Sequence, residues 1–205
     1  MSDRIPRVLV VLADGCEELE AVTIIDLLRR ADVAVTVAGL EPGPVTASRG
    51  VRLLPDIALD SIGGESFDLI VLPGGAEGAR RLSESDRIGE LLMQQIREGR
   101  CVAAICAAPT VLGRLGLLDH RRVAAYPGFL EPLEIPGVEI EAAASVVMDG
   151  RIITSRGPGT AMDFALFLIE HLTDPTTRDR VEAGLQRPAT HHSSATEGIA
   201  IRVMR

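Results

Sequence analysis

Apolar residues along this chain follow two alternating rhythms. Short unbroken runs predict buried strands, and apolar positions three or four apart predict amphipathic helices. Residues 7–13 are the first run. Residues 17–31 follow as a helix, with Leu19, Val22, Ile25 or Asp26, and Leu28 at helical spacing. A second strand covers 33–40, and shorter extended pieces within 45–58 are broken by Gly50 and Pro55. Residues 68–72 make a strand ending in Pro73-Gly74-Gly75, followed by helices near 77–82 and 86–98. A strand over 101–105 runs into Cys106, and a helix over 109–117 carries Pro109 in its first turn, where its fixed φ is pre-organised for the helix.

Later strands are expected at 122–125, 139–143 and 145–148, the last joined by Asp149-Gly150, a hairpin signal, to 151–155. Helices at 158–172 and 176–185 close a single domain over 1–186, and 187–205 read as a partly ordered tail. The stretch 126–137, with three prolines and two glycines, reads as a loop that could serve as a lid. Near-continuous apolar strands alternating with helices imply an α/β fold whose sheet is mostly parallel and covered on both faces. Ligands of such sheets bind at the carboxyl ends of the strands. Here those ends are Asp14-Gly15-Cys16, Pro73-Gly74-Gly75, Cys106 and Gly157-Pro158-Gly159, which should converge on one crevice.

Composition narrows the function classes. The 205 residues are enough for one full core, 46 % are hydrophobic and only 2 % aromatic, so that core is aliphatic. Acidic residues outnumber basic ones 29 to 21, a formal charge of −8, which argues against nucleic-acid or anionic-membrane partners. No segment reads as a signal peptide or a membrane span. Three cysteines suggest a reducing compartment, read here as the cytoplasm, rather than a disulfide framework. Cys101 and Cys106 lie at odd spacing on one extended segment, so they should face opposite sides of the sheet and not bridge. Cys101 reads as core.

The chemistry centres on Cys106. A strand running into a cysteine, small residues and then a proline puts the thiol at a sharp strand-to-helix elbow. The positive end of a helix favours the reactive thiolate there. Cys16, after the first strand, is either core or a resolving thiol. Glu17 and Glu18 suit the helix dipole, whereas Glu20 either does the same or turns into the crevice. An inward Glu20 would have a raised pKa and donate a hydrogen bond to sulfur. Gly74 and Gly75 are either a simple turn or N–H donors to an oxyanion, and Gly157-Pro158-Gly159 has the same two readings. Tyr126, the only Tyr, could donate a proton or simply pack. His120, His171, His191 and His192 include none directly after Cys106, and no metal site is expected.

Five ordered stretches carry a resemblance: 8–13 with Glu17-Glu18-Leu19-Glu20; 35–40; Val71-Leu72-Pro73-Gly74-Gly75; 103–109; and 154–160. Together they resemble the ThiJ/PfpI superfamily, most closely its Parkinson-associated protein deglycase branch. The resemblance implies a flavodoxin-like three-layer sandwich, usually a homodimer. It implies Cys106 as nucleophile or oxidisable thiol, Glu20 as its protonated partner, and Gly75 and Ala107 as oxyanion donors. Arg49 and Arg156 would lie near the site or the dimer interface. Members of this kind convert methylglyoxal or glyoxal to hydroxy acids without a cofactor, or reverse early glycation. The alternative role is an oxidative-stress sensor or chaperone working through oxidation of Cys106; an intracellular protease or amidotransferase-like role comes after both.

The chain departs from that pattern in three places. Tyr126 stands where the branch has His, Ala108 replaces the Gly of the Cys-Ala-Gly-Pro turn, and the tail has no counterpart. Ala107 after Cys106 removes the adjacent Cys-His dyad of the protease-type branch.

Overall fold

The computed structural model describes residues 4–187 and the backbone of 201–204. The chain enters through Arg7–Leu12 (β1), crosses in Glu18–Arg30 (α1) and returns through Ala34–Gly39 (β2). Two short strands, Val45–Thr46 (β3) and Arg52–Leu53 (β4), pair antiparallel before Ile57–Ala58 (β5). Leu69–Leu72 (β6) leads to Ala76–Ser83 (α2) and Asp86–Arg97 (α3), then Cys101–Ile105 (β7) and Pro109–Arg114 (α4). Arg122–Val123 (β8) and Glu139–Ile140 (β9) precede the hairpin Val146–Asp149 (β10) and Ile152–Ser155 (β11). Ala161–Leu172 (α5), Pro175–Gly184 (α6) and Ile201–Met204 (β12) follow.

The central sheet has the order β12-β10-β11-β7-β6-β1-β2-β5. Every neighbouring pair is parallel except the β10–β11 hairpin. Strand alternation sorts the aliphatic core into two halves. Val8, Val10 and Leu12 pack with Ile24, Leu28 and Phe164 of α1 and α5. Leu9 and Val11 face Leu82, Ile88, Leu92 and Leu112 of α2, α3 and α4. Each large aliphatic side chain so buried stabilises the fold by about 1.5–3 kcal/mol. Helices on both faces make the three-layer sandwich. The strand order reverses around β1 and β6, where a ligand crevice is expected.

Several expectations need correction. On α1 the buried stripe is Glu20, Ala21, Ile24, Leu27 and Leu28, while Leu19 and Val22 are exposed. Spacing alone does not choose between these two stripes, because both are helical; docking onto β1 does. The strands expected at 122–125 and 139–143 shrink to β8 and β9. They pair with each other in a separate two-stranded sheet. The helix expected over 109–117 stops at Arg114, with Gly116 left-handed just beyond it. Loop 126–137 is pinned by buried Leu130 and Ile135 in the α2–α4 half of the core, so it is not a free lid. Of the tail, 201–204 extends the sheet beside β10, and 188–200, with His191 and His192, lie outside the described residues. No helix among the described residues is long and apolar enough to cross a membrane.

Candidate functional site

Four strand ends meet where the sequence places its glycines. After β1, the Glu17 N–H donates to the Gly74 carbonyl at 2.9 Å. After β7, the Cys106 N–H donates to the Ser155 carbonyl of β11 at 3.0 Å, and the Cys106 carbonyl accepts from Tyr126 N–H at 2.9 Å. Between these anchors Cys106 adopts a left-handed backbone, φ 66°, at a cost of about 1–2 kcal/mol for a residue with a Cβ. The turn also breaks the strand's alternation. Cys101 and Cys106 therefore face the same half of the core, contrary to their odd spacing, and both thiols are free.

Gly74 and Gly75 allow the approach. A Cβ on Gly74 would stand 2.5 Å from Cys106 Cβ and 2.7 Å from Glu20 Oε2. Gly75 has φ 88° and lies against the Gly15 carbonyl, a position that only glycine occupies without strain. The N–H groups of Gly75 and Ala107 reach the Cys106 sulfur. The ring of Tyr126, half-exposed and edge-on to Phe129, has its Cδ2 3.1 Å from where a Gly157 Cβ would be. The sulfur lies 4.0 Å from the same point.

Glu20 turns inward. It is fully buried on α1, and its Oε2 accepts from Gly74 N–H at 2.7 Å. Among the described residues its Oε1 meets no N–H or O–H group, and the carboxyl lies within hydrogen-bonding reach of the Cys106 thiol. Burial pushes the Glu20 pKa up to about 7, with the Gly74 N–H pulling the other way. Burial also pushes the Cys106 thiol up to about 12, and after burial the charge Glu20 would carry raises it further. A protonated Glu20 removes that repulsion, and the Gly75 and Ala107 N–H groups then favour charge on sulfur. The pair behaves as one site holding at most one negative charge.

Of the other expected residues, Cys16 lies with its backbone against Gly75. It is buried, with its backbone packed against Gly78 as well, and burial plus the charges of Glu18, Asp14 and Glu17 push its pKa to about 12. The Cys106 thiol is raised as far, but by a single carboxyl that can hold a proton and with the Gly75 and Ala107 N–H groups opposing the rise; the three carboxylates around Cys16 disfavour the thiolate a resolving cysteine needs. Arg49 is exposed and donates its backbone N–H to Glu18; Arg156 is exposed beside Gly157, and Pro158 opens a 3-10 turn. His120 packs against Gly137, and His171 contacts Cys101. Among the described residues, no group of three or more His, Cys, Asp or Glu could hold a metal.

Sequence reasoning passed over Ser155 and Thr160. Besides its carbonyl on Cys106 N–H, the Ser155 hydroxyl contacts the Ser145 carbonyl at 2.7 Å and Thr160 Oγ1 at 2.8 Å. Thr160 Oγ1 in turn accepts from Gly157 N–H at 3.1 Å. The hydroxyls flanking Gly157-Pro158-Gly159 in sequence were the available signal.

Residues 6–171 match the DJ-1/PfpI family. The chain belongs to that family. It is 44 % identical over 178 residues to protein dj-1beta of Drosophila melanogaster, covering 86 % of this chain and 95 % of that protein. The crystal structure of that relative matches with a TM-score of 0.85 over 89 % of this chain and 98 % of that one. The glutathione-independent glyoxalase DJR-1.2 of Caenorhabditis elegans is 38 % identical over 162 residues, 79 % of this chain and 86 % of that protein. The structure of oxidized Toxoplasma gondii DJ-1 is 39 % identical with a TM-score of 0.80, covering 88 % and 97 %.

Proposed function

We propose that this DJ-1/PfpI member is a cofactor-free glyoxalase or deglycase-type enzyme. Its substrates would be small reactive aldehydes such as methylglyoxal and glyoxal, or the early glycation adducts they form. The observation that carries this reading is the fully buried carboxyl of Glu20 within hydrogen-bonding reach of the Cys106 sulfur. The Cys106 thiolate adds to the aldehyde carbon and forms a hemithioacetal. The Gly75 and Ala107 N–H groups stabilise the oxyanion. As the adduct forms, Glu20 gives its proton to the oxyanion; the resulting carboxylate accepts the proton from the former aldehyde carbon and returns it to the neighbouring carbon, while the hydroxyl proton passes to the neighbouring oxygen, so a thioester forms without an external oxidant. Water hydrolyses the resulting thioester, releasing the hydroxy acid and the thiol. Tyr126, at the mouth, is the candidate proton donor where relatives of the branch carry His. The name of the nematode relative, a glutathione-independent glyoxalase, supports this chemistry.

The protein would act as a homodimer in a reducing compartment such as the cytoplasm. Exposed Leu19 and Val22 of α1, with Val51 and Leu54 of the β3–β4 region, support an apolar face for pairing. A second reading has Cys106 oxidise to a sulfinate held by Glu20, and the likeness to an oxidized relative favours it. The deciding assay supplies methylglyoxal without thiol cofactor and measures lactate. Turnover by the wild type, lost in Cys106→Ser and Glu20→Gln, supports the enzyme. No turnover from protein with a titratable free Cys106 overturns it and leaves the sensor.

A further inference from the structure

At the other end of β7 the sheet holds a second thiol with unusual neighbours. Cys101 is mostly buried with an exposed edge, and its Sγ lies 3.5 Å from Nε2 of His171 in the last turn of α5. Residue 101 was expected to be plain core. The Cys101 backbone is fixed, since its carbonyl accepts from Gln95 Nε2 at 3.1 Å. His171 is partly exposed, one side of its ring packed parallel to that of Phe167 with centroids 6.4 Å apart. On the remaining side Arg151, the hairpin residue before β11, brings its guanidinium to the thiol. Its Nη2 lies 3.5 Å from the Cβ position of Gly99. Among the described residues Arg151 forms no ion pair.

This environment is the reverse of that around Cys16. Three carboxylates surround Cys16 and oppose its ionisation. Burial also raises Cys101, but the Arg151 charge works against it. The part of the His171 ring packed on Phe167 and Cys101 is shielded from water, which lowers its pKa and favours the neutral imidazole. His171 also lines a cleft of about 590 Å³ with Arg4, Asp68, Asp174 and Thr177. The cleft's carboxylates are engaged: Asp68 pairs with Arg4, and Asp174 caps α6 by accepting from Thr177 N–H. Arg151 lies outside that cleft, lining a neighbouring groove with Asp119 and Arg121, and among the described residues it is in no ion pair.

We propose that Cys101, His171 and Arg151 form a second thiol site, separate from Cys106, that takes up small carboxylate-bearing disulfides as reversible mixed disulfides. His171 accepts the Cys101 proton. The sulfur attacks one sulfur of the disulfide; that S–S bond breaks as the Cys101–S–S bond forms, and the other half leaves as a thiolate that takes up the proton. Cys101 is oxidised and the departing sulfur reduced, so no other oxidant is needed. Arg151 favours substrates bearing carboxylates.

The test uses full-length Cys106→Ser protein with glutathione disulfide, and with cystamine as a cationic comparator. Intact mass gives the rate, peptide mapping the residue, and dithiothreitol tests reversal. The expected result is one adduct at Cys101, formed faster from the anionic disulfide. His171→Gln slows it about tenfold or more by removing the proton acceptor, and Arg151→Gln removes the preference for the anionic reagent. Arg151 is exposed in a hairpin turn, so its variant keeps the test open if His171→Gln does not fold. No adduct at Cys101 in folded protein, or unchanged rates and preference in the folded variants, would overturn the proposal.

Discussion

Gly74 and Glu20 define each other's position: the Gly74 N–H donates to Glu20 Oε2, and the space a side chain at residue 74 would need is already taken by that oxygen and by Cys106 Cβ. Neither neighbour is the free end of a flexible surface chain. Gly74→Ala is therefore expected to destabilise by about 1–3 kcal/mol through overpacking. It should also displace the carboxyl from the sulfur. Urea unfolding together with lactate formation checks both, and a variant with wild-type stability and turnover would contradict the packing.

Glu20 should leave a signature in stability against pH. Its folded pKa, about 7, lies above the ordinary carboxylate value of 4.5. Between those values the folded state holds a proton that the unfolded state has released. The contribution is fully present below about pH 4.5 and is lost as pH rises through about 7, a total of about 3 kcal/mol. Glu20→Gln stays neutral, so its unfolding free energy should fall less across that window. Denaturant titrations of both proteins at pH 5 and pH 8 measure the difference.

Ser155→Ala removes the hydroxyl that joins Ser145 to Thr160. It leaves the Ser145 carbonyl without that donor and loosens the loop whose Gly157 N–H rests on Thr160. A loss of about 1–3 kcal/mol is expected, with turnover reduced although the Ser155 hydroxyl is engaged by Ser145 and Thr160 rather than turned to the sulfur. Thermal melts and single-turnover kinetics separate the two effects.

The apolar face of α1 and the β3–β4 region gives a test of assembly. Leu54 is 79 % exposed, so Leu54→Glu costs the monomer fold less than about 0.5 kcal/mol. In a dimer pairing through this face, the substitution buries two charges and shifts the population to monomer. Sedimentation velocity on the wild type and variant reads this directly.

Much of the site was legible because the backbone makes it. An apolar run ending in Cys106, and glycine pairs at other strand ends, fix where chemistry can gather before any side chain is placed. What could not be read was phase. Glu20 belongs to a stripe with Ile24, Leu27 and Leu28, while Leu19, Val22 and Ile25 make an equally regular one. Only docking against β1 decides which faces inward. The same limit hid the relation of Cys101 to Cys106. Strand alternation is sound up to Ile105 and fails one residue later, where φ turns positive. Contacts between distant segments, such as Cys101 with His171, leave no local trace in composition or spacing.

The left-handed turn at Cys106 also says how this protein should fail. The residue does not hold that conformation by preference; two borrowed hydrogen bonds, to Ser155 and from Tyr126, hold it there. On warming, the cheapest escape is for the elbow to relax toward extended backbone while the sheet around it stays intact. The sulfur would then swing off its donors in a molecule still folded by every global measure. Inactivation should accordingly run ahead of melting, and the gap between the two temperatures would gauge how tightly the rest of the protein aims its thiol.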